Sequence, residues 1–349
     1  MRRRGVGTSA KIAAVVVIAA VVVAAAYYEL YLNTPSKLTL KVYGSVDTSD
    51  MQAVLKDFQG NYSYITVNYV EMTPPTAFTR ITTELQANQS SADVAFITKS
   101  LMNPLKSAGD LIPYNSTQLS NYPANYYDPK GYFASAILLP VVFSYNTNLV
   151  SQSALPKTLA DLTNSSWRGK VIMLDPTLGS TGTQYLLSLL PYAGGNSSWT
   201  TWAKALQANV QPSVTSDTTV VANDVQQGTY SIGIVTYLHD VIRLKNQGAP
   251  ISYFLPQGVP LLTAPSAIGI VKGTKHLAAA QLFEDFMLSK NAQLVIGNSA
   301  VRFPAFPGLN ANNTVEKAAP GSTVVFFPTA QVSAEAKAWG SKFKAMGYA

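Results

Sequence analysis

The chain has 349 residues, of which 47% are hydrophobic and 12% are charged, so it is expected to fold and is long enough for two domains of ordinary size. It contains no cysteine, which excludes disulfides, thiolate metal sites, cysteine nucleophiles and a lipid-anchored cysteine. The net charge of +7 owes much to Arg2, Arg3, Arg4 and Lys11, and no basic cluster follows them, so nucleic acid is not an expected partner.

Residues 12–28 form an unbroken apolar and aromatic run behind these basic residues. A helix of this length spans roughly 25 Å, which is just enough to cross a bilayer. The basic tail, residues 1–11, is expected to stay in the cytoplasm and everything after the run to lie outside. The run is interpreted as a membrane anchor or a cleavable signal segment, and residues 29–36 as a linker.

Strands and helices alternate from Leu38 onward, which is typical of an α/β protein with helices packed on a largely parallel sheet. The pattern predicts strands at 38–43, 65–70, 92–97, 137–145, 170–174 and 231–236. It predicts helices at 49–58, 75–87, around 202–206, and at 219–227, 238–247, 276–288 and 291–297.

Two stretches are predicted to connect a pair of lobes, namely the polar segment 146–157 and the segment 262–268. Lobe one is then expected to contain residues 37–145 and 263–349, and lobe two residues 146–262. Ligands of open α/β sheets bind outside the carboxyl ends of the strands. We therefore expect a ligand between the lobes, at loops contributed by both.

The stretch 167–190 carries the most informative of these loops, because an apolar strand leads into small and hydroxyl-bearing residues, 179–183, that open a helix. Unpaired amides, the helix dipole and nearby hydroxyls make such a helix start favourable for anions. The loop lacks the Gly-Lys-Ser/Thr ending of a nucleotide-binding P-loop. The alternative is an ordinary helix start in which Ser180 or Thr181 is the N-cap.

The order of several segments resembles the extracellular solute-binding proteins of ATP-binding-cassette importers. The resemblance is strongest to the type II branch, which contains ferric-iron, phosphonate and sugar-phosphate binders. It implies an α/β, two-lobed type II periplasmic-binding-protein-like fold with the ligand cleft between the lobes. The segments that carry it are ADVAFITKS at 92–100, VVFSYNTNLV at 141–150, LPKTLADLTNSSWRGKVIMLDPTLGSTGT at 155–183, GTYSIGIVTYLHDVIRLKNQGAPI at 228–251 and AIGIVKGTKHLAAAQLFEDFMLSKNAQ at 267–293.

The resemblance also implies a set of ligand-binding residues. These are Ser45, Ser100, Tyr145, Ser180, Thr181, Gly182 and Tyr237. Each has a structural alternative: Ser45 and Ser100 are also suited to capping the helices that follow them, and Tyr145 to packing in the core. Lys99 is interpreted as a solvated surface residue, with the balancing of a bound anion as the alternative.

Tyr237 decides between two kinds of ligand. Ferric-iron binders of this branch present two consecutive tyrosines, because a hard trivalent cation favours phenolate oxygens. Here Leu238 follows Tyr237, so an organic anion such as a phosphonate or a phosphorylated small molecule is expected, with ferric iron as the second candidate and Tyr237 as its metal ligand. His239 and Asp240 are interpreted as solvated or helix-capping residues.

Catalysis is not expected, because the chain has no Gly-x-Ser-x-Gly elbow and only His239 and His276 as histidine bases. Asp47 is the carboxylate nearest to the ligand loops, and stabilisation of a helix start explains it. The sequence predicts a receptor, without a resident cofactor, that binds a small anionic solute outside the cell and delivers it to permease subunits of an importer. A ligand-binding sensor domain is the alternative.

Overall fold

The computed structural model describes residues 36–89, 92–178, 181–210, 213–299, 301–327 and 329–348. The expected membrane anchor or signal at 12–28 and the candidate ligand residue Ser180 therefore lie outside the described residues. Within the ranges that are described, no helix is both long and apolar enough to span a membrane.

The strands of the first sheet are β1 (Leu38–Gly44), β2 (Ile65–Glu71), β3 (Val94–Thr98), β4 (Leu111–Ile112), β5 (Ala134–Leu138), β12 (Ser266–Val271) and β13 (Phe303–Pro304). They lie in the order β13-β5-β12-β3-β1-β2, and β4 also pairs with β12. Strands β1 and β2 are parallel, as are β1 and β3, whereas β12 runs antiparallel to β3 and β5. Helices α1 (Thr48–Asn61), α2 (Pro74–Gln86) and α3 (Lys99–Ala108) follow β1, β2 and β3.

The strands of the second sheet are β6 (Val141–Asn146), β7 (Val171–Leu174), β8 (Val214–Thr215), β9 (Ile232–Tyr237) and β10 (Ile251–Phe254). They lie in the order β10-β6-β9-β7-β8, in which β7 is parallel to both β8 and β9. Its helices are α4 (Thr181–Ser188), α5 (Asn196–Val210), α6 (Thr218–Gln226) and α7 (Leu238–Asn246). The two sheets, with their helices, form lobe one and lobe two, so the expected two-lobed α/β fold is confirmed.

The chain crosses between the sheets at two adjacent points. It leaves β5 at Leu138 and enters β6 at Val141, so the run predicted as one strand at 137–145 is two strands in different lobes. The first crossing therefore lies before the expected boundary at 145. Both strands are apolar, so hydrophobicity alone does not mark the change of sheet, whereas Pro140 lacks the N–H that an interior strand position needs.

The return crossing lies beside the first, where the Ala264 N–H donates to the Leu139 carbonyl at 3.0 Å. A short parallel pair, β11 (Leu261–Thr263) with β14 (Val324–Phe326), adjoins this point. Strand β11 overlaps the first two residues of the stretch predicted to connect the lobes at 262–268, and the last three residues of that stretch belong to β12. The two segments of chain that cross between the lobes, at 138–141 and 263–266, are thus hydrogen-bonded to each other through their backbones.

The carboxy-terminal part is largely helical, as the sequence predicts. Its helices are α8 (Leu277–Leu288), α9 (Lys290–Ser299), α10 (Val315–Ala318) and α11 (Thr329–Ala345). Helix α9 packs on α1 in lobe one, whereas α11 packs against both α3 of lobe one and α4 of lobe two. The aromatic rings of Trp339 and Phe343 anchor α11 by contacting the buried Trp199 at centroid distances of 5.4 and 5.8 Å.

Candidate ligand site between the lobes

The start of α4 lies unusually close to the end of β7. A Cβ added at Gly182 would lie 2.7 Å from the carbonyl oxygen of Asp175 and 2.9 Å from that of Leu174, so only glycine fits without movement of the backbone. The next residue fastens the turn, since the Thr183 hydroxyl donates to the Pro176 carbonyl at 2.7 Å. Thr181 is the first residue of the helix. The predicted loop therefore does open a helix at the carboxyl end of a strand.

Tyr237 ends the neighbouring strand β9 and is the N-cap of α7. Its hydroxyl lies 3.2 Å from the Thr181 hydroxyl, so two of the predicted ligand-binding residues meet at adjoining helix starts. Burial raises the pKa of the Tyr237 phenol, and the hydrogen bond with Thr181 opposes this rise. The phenol is therefore neutral near pH 7 and available as a hydrogen-bond donor.

His239 is the second residue of α7, and its ring stacks on that of Tyr237 with centroids 5.2 Å apart and planes 19° from parallel. The side chain is 3% exposed. Burial lowers the pKa of His239 well below its usual value, and the nearby guanidinium groups of Arg302 and Arg243 lower it further. The imidazole is accordingly neutral near pH 7.

Arg302 comes from lobe one, directly before β13, and reaches the ring of His239 across the cleft. Its Nη1 lies 2.5 Å from His239 Nε2. Because arginine only donates, Nε2 accepts and the imidazole proton is on Nδ1. That nitrogen has no hydrogen-bond partner among the described residues. The site thus contains one buried ring donor without a protein acceptor.

Two lobe-one carboxylates hold the other nitrogens of Arg302. Its Nη2 donates to Asp47 at 2.6 Å and its Nε to Asp50 at 2.5 Å. Asp47 is the N-cap of α1, as the sequence suggests, but its side chain makes no capping hydrogen bond there. Its role is mainly to pair with Arg302, which is only 5% exposed.

Asp240 completes the cluster on the lobe-two side. Arg243 Nη2 lies 3.0 Å from its carboxylate and 3.7 Å from that of Asp47 in the opposite lobe. Burial raises the pKa of Asp240, and Arg243 opposes this rise. Asp240 and His239 are 5% and 3% exposed, so their interpretation as solvated or capping residues is wrong. They are buried because α7 begins inside the contact between the lobes.

Ser45 lies in the first lobe-one loop, where its N–H donates to the Phe96 carbonyl at 3.0 Å. It does not cap α1, whose N-cap is Asp47. The loop is shaped by Tyr69, whose hydroxyl accepts from the Val46 N–H at 3.1 Å and donates to the Val46 carbonyl at 2.6 Å. The capping interpretation of Ser45 is therefore wrong, and the residue is half-buried beside the cleft.

Lys99 and Ser100 are the first two residues of α3, which follows β3 and has Thr98 as its N-cap. Ser100 is buried and is not the N-cap, which corrects the capping interpretation. Lys99 is 8% exposed, and its Nζ donates to the Asn125 carbonyl at 2.5 Å. Burial lowers the pKa of Lys99 to about 8. The expectation of a solvated lysine is therefore wrong.

Tyr145 is placed elsewhere. It lies in β6 opposite Ile232, the first residue of β9, whereas Tyr237 is the last residue of that strand. Its ring packs on Phe254 with centroids 6.1 Å apart, and the side chain is 8% exposed. The structure therefore does not bring Tyr145 to the pair formed by Thr181 and Tyr237.

Comparison with known proteins supplies the family. The model of a family described as bacterial extracellular solute-binding protein matches residues 90–332, which is more than half of the chain. The chain belongs to this family. The family resemblance predicted from the sequence is confirmed, and the domain is of the solute-binding kind.

Relatives of this solute-binding protein carry different ligands. The Fe(3+)-binding periplasmic protein of Serratia marcescens is 23% identical over 65% of this chain and 68% of its own length. Iron-bound HitA from Pseudomonas aeruginosa superposes with a TM-score of 0.74 at 22% identity, covering 88% of this chain and 99% of its own. The periplasmic binding protein AfuA from Actinobacillus pleuropneumoniae, with fructose-6-phosphate bound, gives a TM-score of 0.74 at 22% identity over 90% and 99% of the two chains. These structures show the two-lobed periplasmic-binding-protein fold.

Three charged residues of the solute-binding protein's cleft escaped the sequence reasoning, namely Asp50, Arg243 and Arg302. Asp50 and Arg243 lie in helices that the pattern predicts, but their type suggests solvent exposure. Arg302 is separated from His239 by 63 positions and from Asp47 by 255. The only sequence signal is local: Asp47 and His239 each follow a strand at the edge where ligands bind.

Proposed function

We propose that this protein captures a small anionic solute in the cleft between its lobes and delivers it, chemically unchanged, to the permease of an ATP-binding-cassette importer. The observation that carries the proposal is the meeting of Thr181 and Tyr237 at two helix starts, with the guanidinium of Arg302 facing them from the other lobe. Each of these groups donates hydrogen bonds or carries positive charge.

The electrostatics of the cleft favour an anion for three reasons. The first turns of α4 and α7 direct backbone N–H groups and the positive ends of their dipoles to the site. The Tyr237 phenol is neutral near pH 7 and donates. Arg302 has five N–H bonds, and each of its three nitrogens already has one partner, so two N–H bonds are left for a ligand.

The position of each remaining predicted residue determines whether we include it in the proposed ligand site. Gly182 lets the start of α4, with its N–H groups, lie close to the end of β7, and Ser180 immediately precedes Thr181 in the chain. Ser45 and Ser100 lie at the ends of β1 and β3 in lobe one, and we assign them the opposite wall of the cleft. Tyr145 is left out of the contact set, because it lies at the far end of the lobe-two sheet.

Ferric iron is the second candidate ligand. It is favoured by the phenol of Tyr237 and by the iron named for the Serratia and Pseudomonas relatives. Leu238, which follows Tyr237, is fully buried and offers no oxygen, and the raised pKa of Tyr237 disfavours a phenolate. In the described part of the chain, no three His, Cys, Asp or Glu side chains are grouped as metal ligands.

Calorimetric titration of the full chain in mild detergent tests the proposal. The ligand panel contains alkylphosphonates, sugar phosphates, inorganic phosphate, thiamine and ferric citrate, with citrate alone as the control for the last. We expect saturable one-site binding of a phosphonate or phosphate ester, and recovery of the same compound by mass spectrometry. Binding of ferric citrate alone would favour the second candidate, and a changed product would indicate an enzyme.

The cellular role is tested by uptake. Deletion of the gene is expected to abolish import of the identified ligand, whereas a sensor domain would leave import intact and change only gene expression. We also propose that residues 12–28 hold the protein at the outer face of the membrane. A retained anchor predicts that the protein resists extraction by alkaline washing, and a cleaved signal predicts a shortened protein in the wash.

A further inference from the structure

A buried polar contact between two side chains joins the lobes at the cleft. Arg302 of lobe one places Nη1 2.5 Å from Nε2 of His239 in lobe two. Both side chains are buried, at 5% and 3% exposure. Asp47 and Asp50, which fix the other two nitrogens of Arg302, both belong to lobe one. Opening the cleft therefore leaves Arg302 with its carboxylates and separates it from His239.

We propose that Arg302 is a positioning residue, which holds the cleft closed through His239 and thereby sets Tyr237 against Thr181. The contacts form one continuous chain from lobe one to the start of α4. Arg302 fixes one edge of the His239 ring, the ring lies flat on Tyr237 at 5.2 Å, and the Tyr237 hydroxyl meets Thr181 at 3.2 Å. Only the effect on ligand affinity rests on the proposed function, because every contact in this chain joins two protein side chains.

The surroundings of Arg302 explain why one residue has this effect. A hydrogen bond from a charged donor to a neutral acceptor is among the stronger kinds, and here both partners are shielded from water. Without the guanidinium, Nε2 of His239 would be a buried acceptor with no partner. Asp50 would lose its bond to Arg302, and Asp47 would keep only its longer contact with Arg243 at 3.7 Å. Both consequences favour an open cleft in which water reaches these groups.

Distances between two spin labels measure closure directly. Because the chain has no cysteine, Lys56→Cys on α1 and Lys245→Cys on α7 create the two labelling sites, and both lysines are exposed. Without ligand at pH 7.5, we expect a short label distance that lengthens in Arg302→Ala. Arg80→Ala is the matched control, because Arg80 also pairs with a carboxylate, Glu84 at 2.9 Å, but within lobe one. Its distance should equal that of the parent.

Should Arg302→Ala fail to give the circular dichroism of a folded protein, Arg302→Gln replaces it, since it removes the charge but keeps a polar side chain.

An unchanged label distance in folded Arg302→Ala or Arg302→Gln would overturn the inference. Failure of the proposed function looks different, because then no compound in the ligand panel binds although the label distances behave as expected. Once a ligand is known, Arg302→Ala should also weaken its binding.

Discussion

Replacing Gly182 by alanine should move the start of α4 away from the end of β7. The new Cβ would lie 2.7 and 2.9 Å from two carbonyl oxygens and 3.1 Å from a carbonyl carbon, all of which are backbone atoms that cannot rotate aside. Overpacking of this kind costs about 1–3 kcal/mol. The better helix propensity of alanine offsets up to ~1 kcal/mol of that cost. We therefore expect a net destabilisation of roughly 0.5–2 kcal/mol.

The same displacement should also weaken ligand binding, because Thr181 precedes Gly182 and would move relative to Tyr237. We expect a loss of about tenfold in affinity, which corresponds to about 1.4 kcal/mol. Gly60→Ala is the matched control: nothing lies within 4 Å of the added Cβ, and the residue is in the last turn of α1. It should leave affinity unchanged and stabilise the protein by up to ~1 kcal/mol.

Urea unfolding followed by circular dichroism gives the stabilities, and calorimetric titration gives the affinities. If Gly182→Ala matches Gly60→Ala in both measurements, the close approach of α4 to β7 does not exist as described. If only stability falls, the approach is real but the start of α4 does not contact the ligand.

Three further substitutions test other parts of the site. Thr181→Val should weaken binding of an anion by about 1–3 kcal/mol in calorimetry, whereas Thr181→Ser, and Thr82→Val on the exterior of lobe one, should bind normally. Tyr69→Phe leaves the N–H and carbonyl of Val46 without their partner and should lower the free energy of unfolding in urea by about 1–3 kcal/mol, and an unchanged value would refute that bond. In the parent protein the free energy of unfolding should rise between pH 8 and pH 10.5, because Lys99 is deprotonated there in the folded chain but still protonated in the unfolded chain. Lys99→Met should remove this rise, and equal pH profiles of the two proteins would contradict burial of Lys99.

The sequence predicted those features that depend on neighbouring residues. Alternation of apolar strands with helix patterns predicted the α/β fold, and the predicted elements are confirmed except that 137–145 is divided between two sheets. The expectation of a largely parallel sheet is wrong, because β12 runs antiparallel to β3, β4 and β5, and β6 runs antiparallel to β9 and β10. The small-residue loop before Thr181 and the tyrosine at the end of β9 were found because helix starts and strand ends have local signatures. The ordered segments also indicated the family.

Charge and burial were predicted poorly, because they depend on distant partners. Residue type predicts solvated side chains at three positions, yet each of these side chains is less than a tenth exposed, namely those of Lys99, His239 and Asp240. Lys99 can be buried because the Asn125 carbonyl accepts from it, and Asp240 because Arg243 lies beside it. Neither arrangement leaves a pattern in the local sequence.

Short-range periodicity and turn chemistry are thus enough to give the inventory of strands and helices and the anion-favouring helix start, and the ordered segments indicate the family by their resemblance to it. The meeting of Arg302 with Asp47, Asp50 and His239 across the cleft comes from the tertiary fold alone. The physical reason is that chain folding, and not sequence proximity, brings β13 beside α1 and the start of α7, and a buried charge is stable only where such partners have been assembled around it.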